Sequence, residues 1–122
     1  EDFVVLSGED GVNYEIMHAG GHGCISVTAN VVPRLMSRFC EAMLADDDAA
    51  GRELHERLLP LHRALFLESN PIPVKWALHE MGLIEAGIRL PLTPLAEQFR
   101  EPLREVLRDL ELLPTQAGGC VA

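Results

Sequence analysis

The sequence of 122 residues has little positive charge, few cysteines and no long apolar run. Asp and Glu outnumber Lys and Arg by 19 to 10, which gives a formal net charge of −9. Binding to nucleic acid or to an anionic membrane needs a patch of positive charge, so we expect neither partner. No apolar stretch approaches the roughly 18 residues of a membrane span, and the first residues lack the basic region of a secretory signal. We therefore expect a cytoplasmic protein.

The three cysteines are widely spaced and form no CxxC pair; they are Cys24, Cys40 and Cys120. Neither a disulfide framework nor a zinc site is indicated by this spacing. His18 and His22 lie four residues apart near Cys24, but two intervening glycines break any helix that would align them as metal ligands. We expect free thiols, no metal and no other cofactor.

The distribution of apolar residues along the chain predicts both strands and helices, as in α/β proteins. An apolar run over 3–6 predicts a strand buried on both faces, and alternating apolar residues over 23–29 predict a second strand. The 15 residues between Ser7 and Gly23 hold a short helix with Asp10 as its N-cap, and this length suffices for a right-handed crossover. We therefore predict two parallel strands.

Apolar stripes at helical spacing fill the rest of the chain. Four helices are predicted. Two lie over 33–44 and 54–66, and two begin at Asn70-Pro71 and Thr93-Pro94, where the first residue of each pair would be the N-cap and the proline the first helical residue. Pro60 and Pro102 lie inside two of these helices, so we expect a bend at Pro60 and either a kink or two half-helices at Pro102.

The two predicted strands leave two unpaired edges, and the sequence contains no third strand-like run to cover them. The first residue is Glu1 rather than Met. We therefore expect this chain to be a piece of a longer protein whose missing strands come from an upstream segment.

Few residues fit a known catalytic pattern. The loop over 20–23 precedes a strand and lacks the GxGxxG and GK[ST] patterns, so we interpret it as the end of a helix. The segment 7–10 joins a strand to a helix, the edge where βα proteins bind ligands, although an ordinary turn explains it at least as well. For Lys75 we favour a solvated or ion-paired ammonium over a Schiff-base nucleophile, and for His55 and His62 packed or surface side chains over metal ligands.

Five segments that occur in a fixed order resemble one enzyme family: FVVLSGED over 3–10, GGHGCISVTANV over 20–31, LPLH over 59–62, NPIPVKWAL over 70–78 and LPLTP over 90–94. Together they look like the 4-hydroxy-tetrahydrodipicolinate synthases, also called dihydrodipicolinate synthases. The resemblance extends from Phe3 to about Leu113. It implies the α/β fold class and the C-terminal part of a (β/α)₈ TIM barrel.

The resemblance also implies a division of the chain. The last two barrel strands and their helices would occupy residues 1–46, a three-helix C-terminal extension residues 47–113, and a flexible tail residues 114–122. The missing N-terminal half of the barrel would be the main partner. Members of the family are commonly homotetramers, so a homo-oligomer is expected.

Enzymes of this family condense pyruvate with aspartate semialdehyde through a Schiff base on a lysine, in lysine and diaminopimelate biosynthesis. The resemblance implies that this lysine and the family's other reactive side chains lie upstream of Glu1. We therefore expect no catalytic residue here and no activity of the isolated chain. Gly8 and Ile25 match positions whose backbone contacts pyruvate, and Glu9 and Asn70 match positions near the aldehyde pocket.

Two alternatives remain open. The chain could belong to a relative, an N-acetylneuraminate lyase or a keto-deoxy sugar acid aldolase, although the segments 26–30 and 70–73 favour the synthase. It could also be a non-catalytic assembly or interaction module, since unpaired strand edges and apolar faces invite partners.

Overall fold

The computed structural model describes residues 2–114, so all of the tail predicted over 114–122 except Pro114 lies outside them. The elements in chain order are β1 (Leu6–Ser7), a 3₁₀-helix (Asp10–Val12), α1 (Asn13–His18), β2 (Gly23–Cys24), a second 3₁₀-helix (Thr28–Asn30), α2 (Pro33–Leu44), α3 (Asp48–Ala64), α4 (Ile72–Glu80) and α5 (Glu97–Asp109). β1 and β2 are parallel neighbours, as predicted. Within this part of the chain, no helix is long and apolar enough to cross a bilayer.

Both strands are shorter than the sequence predicts. Leu6 pairs with Gly23 and Ser7 with Cys24, and the ladder ends there. The run over 3–6 was expected to be buried, yet Phe3 is 80% exposed and Leu6 is 49% exposed. The expectation of burial is wrong for this chain by itself, because no further strand within residues 2–114 lies beside β1 or β2 to cover them.

The second strand ends early because its backbone hydrogen bonds go to a side chain. The carboxylate of Asp10 accepts hydrogen bonds from the N–H groups of Val27, at 2.9 Å, and Thr28, at 3.0 Å. Backbone groups held by a side chain cannot also join a strand ladder. The apolar alternation over 23–29 therefore does not form a strand after Cys24, and the chain enters a 3₁₀-helix instead.

The starts of the last two helices also differ from the prediction. α4 begins at Ile72 with Pro71 as its N-cap residue, and no side chain caps it. The predicted cap at Asn70 is therefore wrong. α5 begins at Glu97 rather than directly after Pro94, because the residue before Glu97 is still extended.

Pro60 and Pro102 lie within α3 and α5, and each helix continues through its proline. The two half-helices considered for Pro102 are thus one helix. Both prolines are exposed, so water can bond the carbonyl that has lost its N–H donor.

The hydrophobic core is one cluster of side chains from all five helices. Among the described elements α2 and α3 make the most extensive contact, and α5 also packs against α3. The fully buried side chains of the core include one aromatic ring and six leucines: Phe39, Leu58, Leu61, Leu65, Leu95, Leu103 and Leu107. The segments that follow the strands rest on this core through Tyr14 and Met17 of α1.

Leu58→Ala is expected to lower the free energy of unfolding of this chain by about 2–5 kcal/mol, because it leaves a cavity in the core. Leu58 is 1% exposed, whereas Leu44, at the end of α2, is 62% exposed. Leu44→Ala is the matched control and should change the free energy by less than about 0.5 kcal/mol. Urea unfolding followed by circular dichroism measures both, and equal effects would contradict the packing described.

Candidate functional site

The carboxyl ends of β1 and β2 lie side by side, and the residues that follow them, Gly8 and Ile25, are exposed. The N–H of Ile25, just after β2, donates a hydrogen bond to the carbonyl oxygen of Ser7 at 2.8 Å. The side chain of Ile25 is 70% exposed. Gly8 follows Ser7 and is also exposed. The structure therefore brings together the two positions that the sequence predicts for backbone contacts.

Space is available in front of Gly8. A Cβ atom added at Gly8 would meet no atom within 4 Å, and the backbone is not in the left-handed region that requires glycine. An alanine would fit this chain without strain, so nothing in the described fold demands glycine here. The missing side chain instead leaves room for the atoms of a ligand at the strand end.

Glu9 and Asn70 occupy different surroundings. The N–H of Glu9 donates to the hydroxyl of Ser7 at 3.3 Å, and its exposed carboxylate makes no hydrogen bond within residues 2–114. Asn70 is exposed in the turn between α3 and α4. No described hydrogen bond joins Asn70 to Gly8, Glu9 or Ile25. The structure therefore brings these three residues together and leaves Asn70 apart.

The buried carboxylate of Asp10 joins the segments that follow the two strands. Asp10 is only 3% exposed. Besides the two N–H groups of Val27 and Thr28, it accepts a hydrogen bond from the side-chain amide of Asn13 at 2.9 Å. The expectation that Asp10 caps the first helix is wrong. The residue before α1 is Val12 and no side chain caps this helix, while Oδ2 of Asp10 accepts from residues 17 and 18 positions away. One side chain thus fixes the position of both segments.

The pKa of Asp10 results from opposing effects. Burial raises the pKa of this carboxyl, but the hydroxyl of Ser26, the N–H of Thr28, the charge of His62 and the amide of Asn13 together lower it below the usual value. Asp10 is therefore ionised near neutral pH. An ionised carboxylate is a stronger acceptor than a neutral one, which suits it to hold two backbone N–H groups.

A second buried contact lies directly behind the first. Oγ1 of Thr28 and Nδ1 of His62 are hydrogen-bonded at 2.7 Å, and both side chains are almost completely buried. Burial lowers the pKa of His62, although the charge of Asp10 acts in the opposite direction. His62 lies on α3, so this bond connects the loop after β2 to that helix. The sequence places His62 on or beside an apolar stripe but decides neither its burial nor its partner.

The residues considered for a metal site have other partners. Nδ1 of His22 accepts a hydrogen bond from the N–H of Val5 at 3.1 Å. Nδ1 of His18 lies 2.9 Å from a carboxylate oxygen of Asp48. Within residues 2–114, no group of three or more His, Cys, Asp or Glu side chains is placed to hold a metal ion.

Lys75 lines a cavity of about 300 Å³ between α4, the loop before α5 and α5 itself. The guanidinium carbon of Arg100 lies 4.3 Å from the centre of the Trp76 ring in its wall. None of Gly8, Glu9, Ile25 or Asn70 lines this cavity. Lys75 therefore belongs to a different part of the surface from the strand ends.

Residues 1–110 match the model of the Dihydrodipicolinate synthetase family. The chain belongs to this family. Two curated relatives, both 4-hydroxy-tetrahydrodipicolinate synthases, show how strong the similarity is. The protein of Stutzerimonas stutzeri is 60% identical over 112 residues, which cover 92% of this chain and 38% of the relative. That of Pseudomonas aeruginosa is 59% identical over 113 residues, which cover 93% of this chain and 39% of the relative.

Solved structures of dihydrodipicolinate synthases have the same fold over the matched part. The chloride-inhibited enzyme of Acinetobacter baumannii complexed with pyruvate is 55% identical, with a TM-score of 0.88, and the match covers 91% of this chain and 38% of that one. The enzyme of Aquifex aeolicus is 42% identical, with a TM-score of 0.90 and coverages of 94% and 39%. These findings confirm the family resemblance seen in the five segments. The chain spans about 38% of the length of the relatives it matches.

Asp10→Asn is expected to lower the free energy of unfolding by about 2 kcal/mol or more, because each hydrogen bond to a charged group contributes roughly 1.5–3 kcal/mol. The neighbouring acid Glu9 is exposed and is the control: Glu9→Gln should change the value by less than about 0.5 kcal/mol. Denaturant unfolding measures both variants. The interpretation of Asp10 is wrong if its variant unfolds at the same urea concentration as the unsubstituted chain.

The contribution of the Asp10 carboxylate to the free energy of unfolding should depend on pH. Because the pKa of Asp10 is lower in the folded chain than in the unfolded one, its contribution is present above the unfolded pKa and is lost as the pH falls through the folded pKa. The stability difference between the unsubstituted chain and Asp10→Asn should therefore shrink as the solution is acidified.

Proposed function

We propose that this chain is the C-terminal part of a dihydrodipicolinate synthase and forms the last two strands of its (β/α)₈ barrel, with a three-helix extension over 47–113. The observation that supports this most is the open, parallel pair of strand ends at Gly8 and Ile25 in a chain 59% identical to a named synthase. Ligands of (β/α)₈ barrels bind at the carboxyl ends of the strands. Pyruvate is the substrate we assign to this edge.

The proposed role of the chain is to position pyruvate through its backbone. Backbone groups can contact a small keto acid without any special side chain. At Ile25 this leaves the carbonyl oxygen, because the N–H is bonded to Ser7. The space in front of Gly8 admits the ligand. Glu9 directly follows Gly8 and is exposed, and we assign its carboxylate to the aldehyde substrate, aspartate semialdehyde. Asn70 would complete the aldehyde pocket from the turn between α3 and α4.

The covalent chemistry belongs to the rest of the enzyme. The lysine amine that forms a Schiff base with pyruvate would come from the preceding part of the barrel. Loss of a proton from the pyruvate methyl group then gives an enamine, whose carbon attacks the aldehyde of aspartate semialdehyde. Because Lys75 lies in a different cavity, the chain on its own supplies no amine at the strand ends.

The exposed apolar segment 3–6, which leads into β1, supports the proposal that a further part of the barrel packs against this chain. Four consecutive apolar residues, Phe3, Val4, Val5 and Leu6, are between 45% and 80% exposed. A parallel strand with both faces apolar is normally buried between neighbouring strands and helices. The preceding part of the barrel would cover these residues. The whole enzyme would be a cytoplasmic homo-oligomer that acts in lysine and diaminopimelate biosynthesis.

A chimera tests this proposal. The part of the Pseudomonas aeruginosa synthase that precedes the matched segment is joined to this chain, and condensation of pyruvate with aspartate semialdehyde is assayed. We expect activity, and Gly8→Ala should raise the KM for pyruvate at least tenfold because its methyl group occupies the ligand's space. Gly87→Ala is the matched control, since a Cβ atom there also meets nothing within 4 Å. A folded but inactive chimera would refute the assignment, and activity with N-acetylneuraminate instead would favour the sugar-acid relatives.

A second test concerns the absence of catalysis in the isolated chain. When the chain is incubated with pyruvate and then borohydride, its mass should stay that of the untreated chain, because Lys75 is not at the strand ends. The chimera, treated in the same way, should gain a pyruvyl group on a residue outside this chain. A stable adduct on Lys75 would contradict the proposal, and Lys75→Arg identifies that site if one forms.

A further inference from the structure

Two of the three cysteines are in contact. Cys24 is the last residue of β2 and Cys40 lies on α2, 16 positions further along the chain. Their sulfur atoms are 3.7 Å apart. Both are free thiols and only partly buried, so a small oxidant can reach them. The sequence gives no sign of this pair, because 15 residues separate the two cysteines and no CxxC motif is present.

We propose that Cys24 and Cys40 are a site of reversible oxidation, at which an intrachain disulfide joins β2 to α2. A disulfide bond is about 2.05 Å long, so the sulfur atoms need to approach each other by roughly 1.7 Å. Rotation of two cysteine side chains covers such a distance more easily than a backbone shift. The contact in the reduced chain therefore holds the two thiols ready to react with each other.

The oxidant is a small disulfide such as oxidised glutathione. The thiolate of one cysteine attacks a glutathione sulfur, forms a mixed disulfide and releases one glutathione thiolate, which takes up a proton. The second cysteine then attacks the mixed disulfide, loses its own proton and displaces the second glutathione. The two cysteines lose two electrons and two protons in total, and one oxidised glutathione becomes two reduced molecules.

The contact serves either order of the two steps. Whichever cysteine forms the mixed disulfide, the sulfur of the other lies 3.7 Å away and completes the bond. Burial, and then the neighbouring Cys40 and Asp10, raise the pKa of the Cys24 thiol to about 12. Because the thiolate is the reacting form, we expect the disulfide to form slowly near neutral pH and faster as the pH rises.

A disulfide at this position should affect the backbone at the ends of β1 and β2. Cys24 pairs with Ser7 in the ladder and directly precedes Ile25. A bond to α2 would limit movement of the backbone at Ile25 and so change the KM for pyruvate in the chimera. This consequence rests on the proposed function, whereas formation of the disulfide does not.

The test uses the chain with Cys120→Ser, so that only the two cysteines remain. The chain is equilibrated with mixtures of reduced and oxidised glutathione, free thiols are blocked with iodoacetamide, and peptides are mapped by mass spectrometry. We expect a peptide linked through Cys24 and Cys40, with an equilibrium constant at least tenfold larger in the folded chain than in urea. The variants Cys24→Ser and Cys40→Ser should give mixed disulfides with glutathione only.

Equal equilibrium constants with and without urea, or mixed disulfides without the linked peptide, would overturn the proposal. The same measurement on the chimera with its other cysteines replaced keeps the result decisive if the isolated chain does not fold. An unchanged KM for pyruvate in an oxidised, active chimera would refute only the consequence for the strand ends. An inactive chimera that still forms the linked peptide would count against the proposed function and support the disulfide.

Discussion

The carboxylate of Asp10 is the contact on which the arrangement of the strand ends depends. The sheet of the described chain consists of two strands of two residues each, and so few ladder bonds do not hold a backbone in place by themselves. Asp10 adds three hydrogen bonds to this ladder, one within its own segment and two to the segment after β2. Because the carboxylate is charged and buried, losing one of these donors costs more than losing an exposed hydrogen bond.

The helices that follow contribute to the same arrangement through His62. Its hydrogen bond to Thr28 ties the segment after β2 to α3, which also packs against α2. The buried apolar residues of α1, α2, α3, α4 and α5 form one continuous cluster. The helices after residue 47 are therefore part of what holds the strand ends.

The sequence predicts the order of the elements well, because the spacing of apolar residues decides between strand and helix. The prediction fails where a side chain far away in the sequence determines the local backbone conformation. The alternation over 23–29 is typical of a strand, yet Asp10, 17 residues before Val27, takes the N–H groups that a strand would need. The position of Gly8 after the first strand indicates a ligand-binding edge, but the assignment of Gly8 and Ile25 to pyruvate rests on the family resemblance, since residues that act through their backbone leave no pattern of side chains. The partners of Asp10 and His62 required the folded structure.

If the substrate is bound by backbone groups, the side chains that cannot be replaced are those that position this backbone, not those that touch the substrate. If pyruvate is held by the backbone at Gly8 and Ile25, the side chain of Ile25 is free to vary as long as its N–H keeps its bond to Ser7. The position of that backbone is set instead by Asp10, by Thr28 and by the contact of Cys24 with Cys40. Thus the residues least free to vary are the buried polar ones behind the site, because an apolar replacement at Asp10 or Thr28 leaves buried polar partners without a bond.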